Sequence, residues 1–237
     1  MMRSYKSWKS PSMGKEMEML IFGKQGTPVI LFPSAHGDCK EWENRKGLEL
    51  LEEQVSEGYN QFYCVDSFAD ESFMNENIDP LARIERFNQY QAYIMDEVLP
   101  YISDHNSNPF IMAAGVAIGA YCSLLMALKY PTNFHKVIGL CGYYDISVHL
   151  GGTTDDSIYF NNPVDFIPNL NDEKLLRHIS SVDIRLLNYK NDPTKEATRK
   201  MSDILWLKFI EHEHYVWDNE TDDLWTLAPQ MLKDNLF

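Results

Sequence analysis

The chain has 237 residues, of which 44% are apolar and 13% aromatic, enough to bury the core of one sizeable α/β unit. Its formal net charge is −14, which argues against nucleic acid and anionic membrane as partners, because phosphate binding relies on Lys and Arg. No CxxC pair occurs among Cys39, Cys64, Cys122 and Cys141, so neither zinc nor dithiol redox chemistry is expected and no cofactor is implied. The cysteines read as reduced core residues, and the basic N-terminus lacks an apolar h-region. With no apolar stretch long enough to span a membrane, the expectation is a cytoplasmic protein.

Strand and helix patterns alternate along the chain. Met17–Phe22 and the β-branched Pro28–Pro33 predict two strands, followed by an amphipathic helix from Glu41 to Ser56 and a strand at Phe62–Asp66. Asp79-Pro80 opens a long helix to about Ile102, since Asp caps a helix and Pro suits its first turn. A strand at Phe110–Ala114 leads into an apolar helix stopped by Pro131, and His135–Cys141 is the next strand. The pattern then lapses over residues 142–170, an insertion rich in Gly, Asn, Asp and aromatics. Asn171-Asp172-Glu173 caps a short helix; Asp183–Asn188 is a strand, Pro193–Trp206 a helix, Phe209–Trp217 the last strand, and a helix ends the chain. The alternation implies an α/β fold, a mostly parallel sheet with helices on both faces, and no linker divides residues 1–237 into more than one domain.

In such sheets ligands bind beyond the carboxyl ends of the strands. The segment at one such end, Gly115-Val116-Ala117-Ile118-Gly119, has the form of a nucleophile elbow, G-x-S-x-G, but with alanine at the serine position. A methyl group cannot attack a carbonyl.

Four stretches in this order resemble the putative-esterase branch of the α/β-hydrolases, which includes S-formylglutathione hydrolases and mycolyltransferases. They are Pro28–Ser34, Phe62–Ser67, Gly115–Tyr121 and Tyr159–Asp165, and the similarity runs from about Gly23 to the C-terminus. The resemblance implies an α/β-hydrolase fold with residues 142–170 as a lid-like insertion, and a Ser–Asp–His triad in that chain order. Carried over by position, the nucleophile is Ala117 and the acid is Asp192, in Asn191-Asp192-Pro193. The base falls at Asp222, or at Thr221 with a one-residue slip, in a segment without histidine. A serine hydroxyl is a weak nucleophile until a base takes its proton, so the two losses are chemically coupled. The oxyanion hole would use backbone N–H groups of Ile118 and of the loop Ser34-Ala35-His36-Gly37, which survive side-chain changes.

Other residues carry competing readings. Asp192-Pro193 also suits an ordinary strand-to-helix turn. His212 and His214 alternate with Ile210 and Val216 and read as strand residues set too low to replace the base. His36 is the histidine placed nearest the pocket. Ser34, Ser67 and Cys122 are weaker substitute nucleophiles, Cys122 facing an apolar stretch. The carboxylates of Asp155, Asp156, Asp172, Glu220, Asp222 and Asp223 form a solvated rim whose spacing matches no calcium motif. Tyr143, Tyr144, Tyr159, Phe160 and Phe166 either line a pocket or pack the insertion. The expected function is therefore an inactive esterase homologue binding a small ester, acyl or carbohydrate ligand, or a protein partner. The alternatives are an esterase or acyltransferase whose serine was mutated to Ala117, and a homo-oligomer built through the sheet edge or the C-terminal helix.

Overall fold

Alternate residues of each central strand enter different apolar layers, and this places helices on both faces of one sheet. In the computed structural model, which describes residues 2–218, 221 and 223–237, the strands are β1 (Arg3–Lys9), β2 (Glu16–Phe22), β3 (Thr27–Phe32), β4 (Asn60–Val65), β5 (Met112–Val116), β6 (Lys136–Leu140), β7 (Asp183–Tyr189) and β8 (Glu213–Trp217). They form an eight-stranded sheet in the order β1-β2-β4-β3-β5-β6-β7-β8. From β4 to β8 every neighbouring pair is parallel, while β2 runs antiparallel to both β1 and β4.

Ile30, Phe32, Tyr63, Ala113, Val137 and Ile184 join one layer with α3 (Pro80–Tyr93), α4 (Leu99–His105), α5 (Ile118–Lys129) and α9 (Lys195–Leu207). Val29, Leu31, Phe62, Ala114, Ile138 and Leu187 join the other, with α1 (Glu41–Asn44), α2 (Glu52–Ser56) and α10 (Leu224–Asp234). The lid-like stretch after β6 holds a 3₁₀ turn at Ile146–His149 and the short helices α6 (Asp156–Tyr159) and α7 (Pro163–Asn169), and α8 (Glu173–Ile179) follows. Among the described residues no helix is long and apolar enough to cross a membrane.

Strand order decides where the site lies. The chain runs from β3 outward to β4, then returns to place β5 on the other side of β3. Pairing of Phe32 with Gly115 sets the carboxyl ends of β3 and β5 side by side, at the point where the strand order reverses, which is where sheets of this kind bind their ligands.

Five local expectations need correction. The N-terminal residues Arg3–Lys9 form β1, an edge strand that the basic sequence did not announce because most of its side chains are exposed. It is held by antiparallel pairing with β2 and by side-chain bonds such as Tyr5 Oη to Glu18 and Ser7 Oγ to Glu16. The helix expected over Glu41–Ser56 is two short helices. Lys46 has φ 59° and the Gly47 N–H donates to the Trp42 carbonyl at 2.8 Å, closing α1 so that Trp42, Leu48 and Leu51 can all reach the sheet. The helix from Asp79-Pro80 runs on to His105 and passes through a π turn at Ile94–Val98. β5 starts two residues later than expected, because its register with β3 carries it into the elbow. β8 begins at Glu213 rather than Phe209. Phe209 takes φ 56° in a turn that closes α9, with the Ile210 N–H bonded to the Leu205 carbonyl.

Candidate functional site

Ala117 sits between β5 and α5 with φ 54° and ψ −110°, a backbone region that L-residues avoid. Its N–H donates to the Leu140 carbonyl at 3.0 Å, and its own carbonyl accepts from Ala120 and Tyr121, so strand and helix fix the turn from both sides. The flanking glycines are sterically required. A Cβ on Gly115 would collide with the backbone of Gly119, and one on Gly119 would lie 2.6 Å from the carbonyl oxygens of Phe32 and Pro33. The N–H groups of Ile118 and Gly119 open α5 and have no intrahelical acceptors.

Strain at residue 117 has a measurable consequence. Ala→Gly elsewhere in regular structure costs about 0.5–1 kcal/mol, whereas relief of such strain is worth roughly 1–3 kcal/mol. Ala117→Gly is therefore expected to leave stability unchanged or raise it by about 1 kcal/mol in urea unfolding. A loss above that size would mean that the elbow is relaxed.

The Ser34–Gly37 loop leaves the end of β3 and is pinned by Glu41, the first residue of α1. Glu41 is buried, and its carboxylate accepts from the Ser34 N–H at 2.7 Å and the Ser34 hydroxyl at 2.5 Å. Gly37 leaves room for this carboxylate: a Cβ there would collide with it. Two of the loop's donors, one of them a backbone N–H, are thus already engaged by a charged acceptor. His36 points outward, its side chain 76% exposed, with Nδ1 2.7 Å from Asp70 Oδ1. His36 and Gly37 line an open cavity of about 560 Å³ with Lys15, Asp66, Ser67 and Asp70. Burial pushes the Asp66 carboxyl above its ordinary pKa. Ser67 Oγ accepts from the Ala69 N–H at 3.2 Å.

Asp192 follows β7 and is buried. Its carboxylate accepts from Asn188 Nδ2 at 2.6 Å, and from both the N–H and the hydroxyl of Thr194 at 2.8 Å. Asn188 Nδ2 also reaches the hydroxyls of Thr194 and Thr198. The Cys141 thiol is buried, and burial followed by the nearby Asp192 carboxylate pushes its pKa well up. His214 joins the same network at one remove: its Nε2 lies 3.1 Å from Asn188 Oδ1.

The chain belongs to the family described as Putative esterase. Its sequence matches that family's profile over residues 10–233. Solved structures share the fold. A ferulic acid esterase superposes with a TM-score of 0.79 at 15% identity, over 99% of this chain and 96% of its own. An S-formylglutathione hydrolase from Agrobacterium tumefaciens gives 0.75 at 13% identity, over 99% and 94%. MPT51 (FbpC1) of Mycobacterium tuberculosis gives 0.70 at 14% identity, over 98% of each chain. No curated protein matches the sequence.

Within this esterase-family fold the residues singled out from sequence separate into groups. Ala117 and Ile118 follow β5 and Ser34–Gly37 follow β3, two strands that end side by side, but His36 and Gly37 line a cavity with Lys15, Asp66, Ser67 and Asp70 whose lining does not include Ala117 or Ile118; Asp192 follows β7 with its own partners. Asp222 lies outside the described residues; the neighbouring Thr221 accepts the Asp223 N–H at 3.2 Å. His212 precedes β8 instead of lying in it, with Nε2 2.6 Å from Ser202 Oγ and Nδ1 2.9 Å from the Ile210 carbonyl. Burial lowers the pKa of both His212 and His214. The Cys122 thiol is fully buried and its pKa pushed well up, which leaves it inert as a nucleophile.

Of the six rim acids, Asp155, Asp172 and Asp223 accept backbone N–H groups at the starts of α6, α8 and α10, Asp156 is the first residue of α6, and Glu220 and Asp222 lie outside the described residues. Among the described residues no three His, Cys, Asp or Glu side chains converge on a metal position. Of the insertion's aromatics, Tyr144 and Phe166 are buried in packing, while Tyr143 and Phe160 are exposed. Sequence reasoning passed over Glu41 and Asn188. The first reads as one more acid on an amphipathic helix, the second as the last polar residue of a strand. Only the turn of the loop and the start of α9 give them their partners.

Proposed function

We propose that this chain is an esterase-family protein that does not hydrolyse esters and that uses the sheet end at β3 and β5 to bind a ligand or a protein partner. The observation that carries the reading is alanine in the strained elbow position, where the backbone keeps the shape that displays a nucleophile but offers a methyl group. The state of Asp192 supports it. A triad acid orients a histidine; here the carboxylate is taken up by Asn188 and Thr194. Among the described residues the N–H groups of Ile118 and Gly119 bond no acceptor, and they would still bind a carbonyl or carboxylate oxygen, which makes an acyl or carboxylate compound the ligand class that suits this end of the sheet.

Hydrolysis of short-chain p-nitrophenyl esters by the native protein and by Ala117→Ser tests this. In a triad, loss of the base alone costs on the order of 10⁶ in kcat, nearly as much as losing all three groups, so serine without its base is expected to give no rate above that of the native protein. Strong hydrolysis by Ala117→Ser alone would reveal a competent base and make the chain an esterase or acyltransferase lacking its serine.

A further inference from the structure

β8 ends the sheet on one side. It pairs with β7 and, among the described residues, with no other strand. An open edge presents a row of unpaired N–H and C=O groups, which proteins guard with lysine, proline or a covering element. The opposite edge is guarded in this way, since β1 carries Arg3, Lys6 and Lys9. β8, Glu213-His214-Tyr215-Val216-Trp217, has no lysine, arginine or proline. The helix that follows it, α10, packs back on β6 in the interior of the sheet.

This edge also concentrates exposed apolar side chains. Tyr215 and Val216 are exposed on opposite faces of β8. Trp206 and Leu207 at the end of α9, and Phe209 in the turn into β8, are exposed as well, Phe209 by 88%. Their exposed parts together reach on the order of 500 Å², a large share of the roughly 800 Å² per partner that a stable interface buries.

Charge decides which partner fits. At a formal net charge of −14 two copies repel overall, so a contact between them needs a patch where like charges do not meet. A two-fold axis at Tyr215 supplies one. It sets Tyr215 against Tyr215 of the second copy, His214 against Val216, and Glu213 against Trp217, with no two acids opposed. Each Glu213 carboxylate keeps Arg185 of its own chain, at 3.5 Å. The same operation on β1 would set Lys6 against Lys6 and Arg3 against Lys9.

We propose that β8 is a dimerisation edge, at which two copies of this chain pair antiparallel about a two-fold axis at Tyr215 and join their sheets into one. The contact is isologous: it buries the same patch from both copies and closes on itself, leaving the two guarded β1 edges at the outer ends.

The test begins with sedimentation equilibrium of the native protein over a wide concentration range, where a limiting mass of twice the chain is expected. A monomer at every concentration overturns the proposal. So does a mass that grows without limit, the mark of β8 pairing head-to-tail with β1 of the next copy. Register is tested by oxidation of cysteine variants, the four native cysteines being buried. Opposed Cα atoms in an antiparallel pair lie about 4.5–5.5 Å apart, within the span of about 4.4–6.8 Å that a disulfide bridges. Tyr215→Cys is therefore expected to give a covalent dimer. Glu213→Cys is not, because its two copies would stand about 13 Å apart along the strands. Equal cross-linking of the two, or none, overturns the axis at Tyr215. Tyr215→Lys places two cations on the axis and is expected to raise the dimer Kd at least about 100-fold. An unchanged Kd puts the interface elsewhere and overturns the proposal. Circular dichroism checks that each variant is folded, and Val216→Lys, exposed on the other face, replaces Tyr215→Lys if that variant is not.

Discussion

Gly119→Ala is expected to cost more than about 3 kcal/mol of stability, and to leave little folded protein if the native margin is small. The added methyl would stand 2.6 Å from two carbonyl oxygens, those of Phe32 and Pro33. Neither can retreat. Phe32 is the last residue of β3 and pairs with Gly115 of β5, and both strands are buried in the middle of the sheet. The helix cannot retreat either, because Ala117 is tied to Leu140 and Ile118, Ala120 and Tyr121 are packed in the core. Overpacking in a soft region costs about 1–3 kcal/mol, and here rigid backbone stands on both sides. Urea unfolding of the variant beside the native protein measures it. A loss under 1 kcal/mol would show that α5 can slide away from β3 and that the elbow is looser than drawn.

Asp192→Ala is expected to lower stability by about 3 kcal/mol, whatever happens to activity. Its carboxylate accepts three close hydrogen bonds in a buried place, and hydrogen bonds to a charged acceptor contribute roughly 1.5–3 kcal/mol each, though not additively. Removal would strand the Asn188 amide and the Thr194 N–H at the junction of β7 and α9. Asp192→Asn keeps an oxygen for Thr194 while setting a second amide against Asn188 Nδ2, so it should lie between the two. Thermal or urea unfolding separates the roles. A residue retained mainly to orient a catalytic base would show a small stability change, under about 1 kcal/mol, and that result would sink the structural assignment of Asp192.

Much of this fold is legible in local pattern. Short apolar, β-branched runs such as Val29–Phe32 and Phe62–Val65 are buried on both faces, so they read as strands without knowledge of their neighbours. Asp79-Pro80 and Asp172 mark helix starts because a cap is a contact within three residues, and both caps are present. The elbow was legible for the same reason. Its glycine spacing serves a turn of five residues, and the absence of serine at Ala117 is a fact of the sequence alone.

What tertiary structure decided depends on residues distant in the chain. β1 exists because β2 offers it a partner, since its own pattern buries almost nothing. Residues 45–51 leave the helical path so that Trp42, Leu48 and Leu51 can share one layer, a gain in buried area that outweighs local helix propensity. The roles of Glu41 beneath Ser34 and Asn188 beside Asp192 are set by strand order and helix docking. A hydrogen bond between distant side chains depends on where two backbones are brought, and a single sequence records that only through the fold that brings them together.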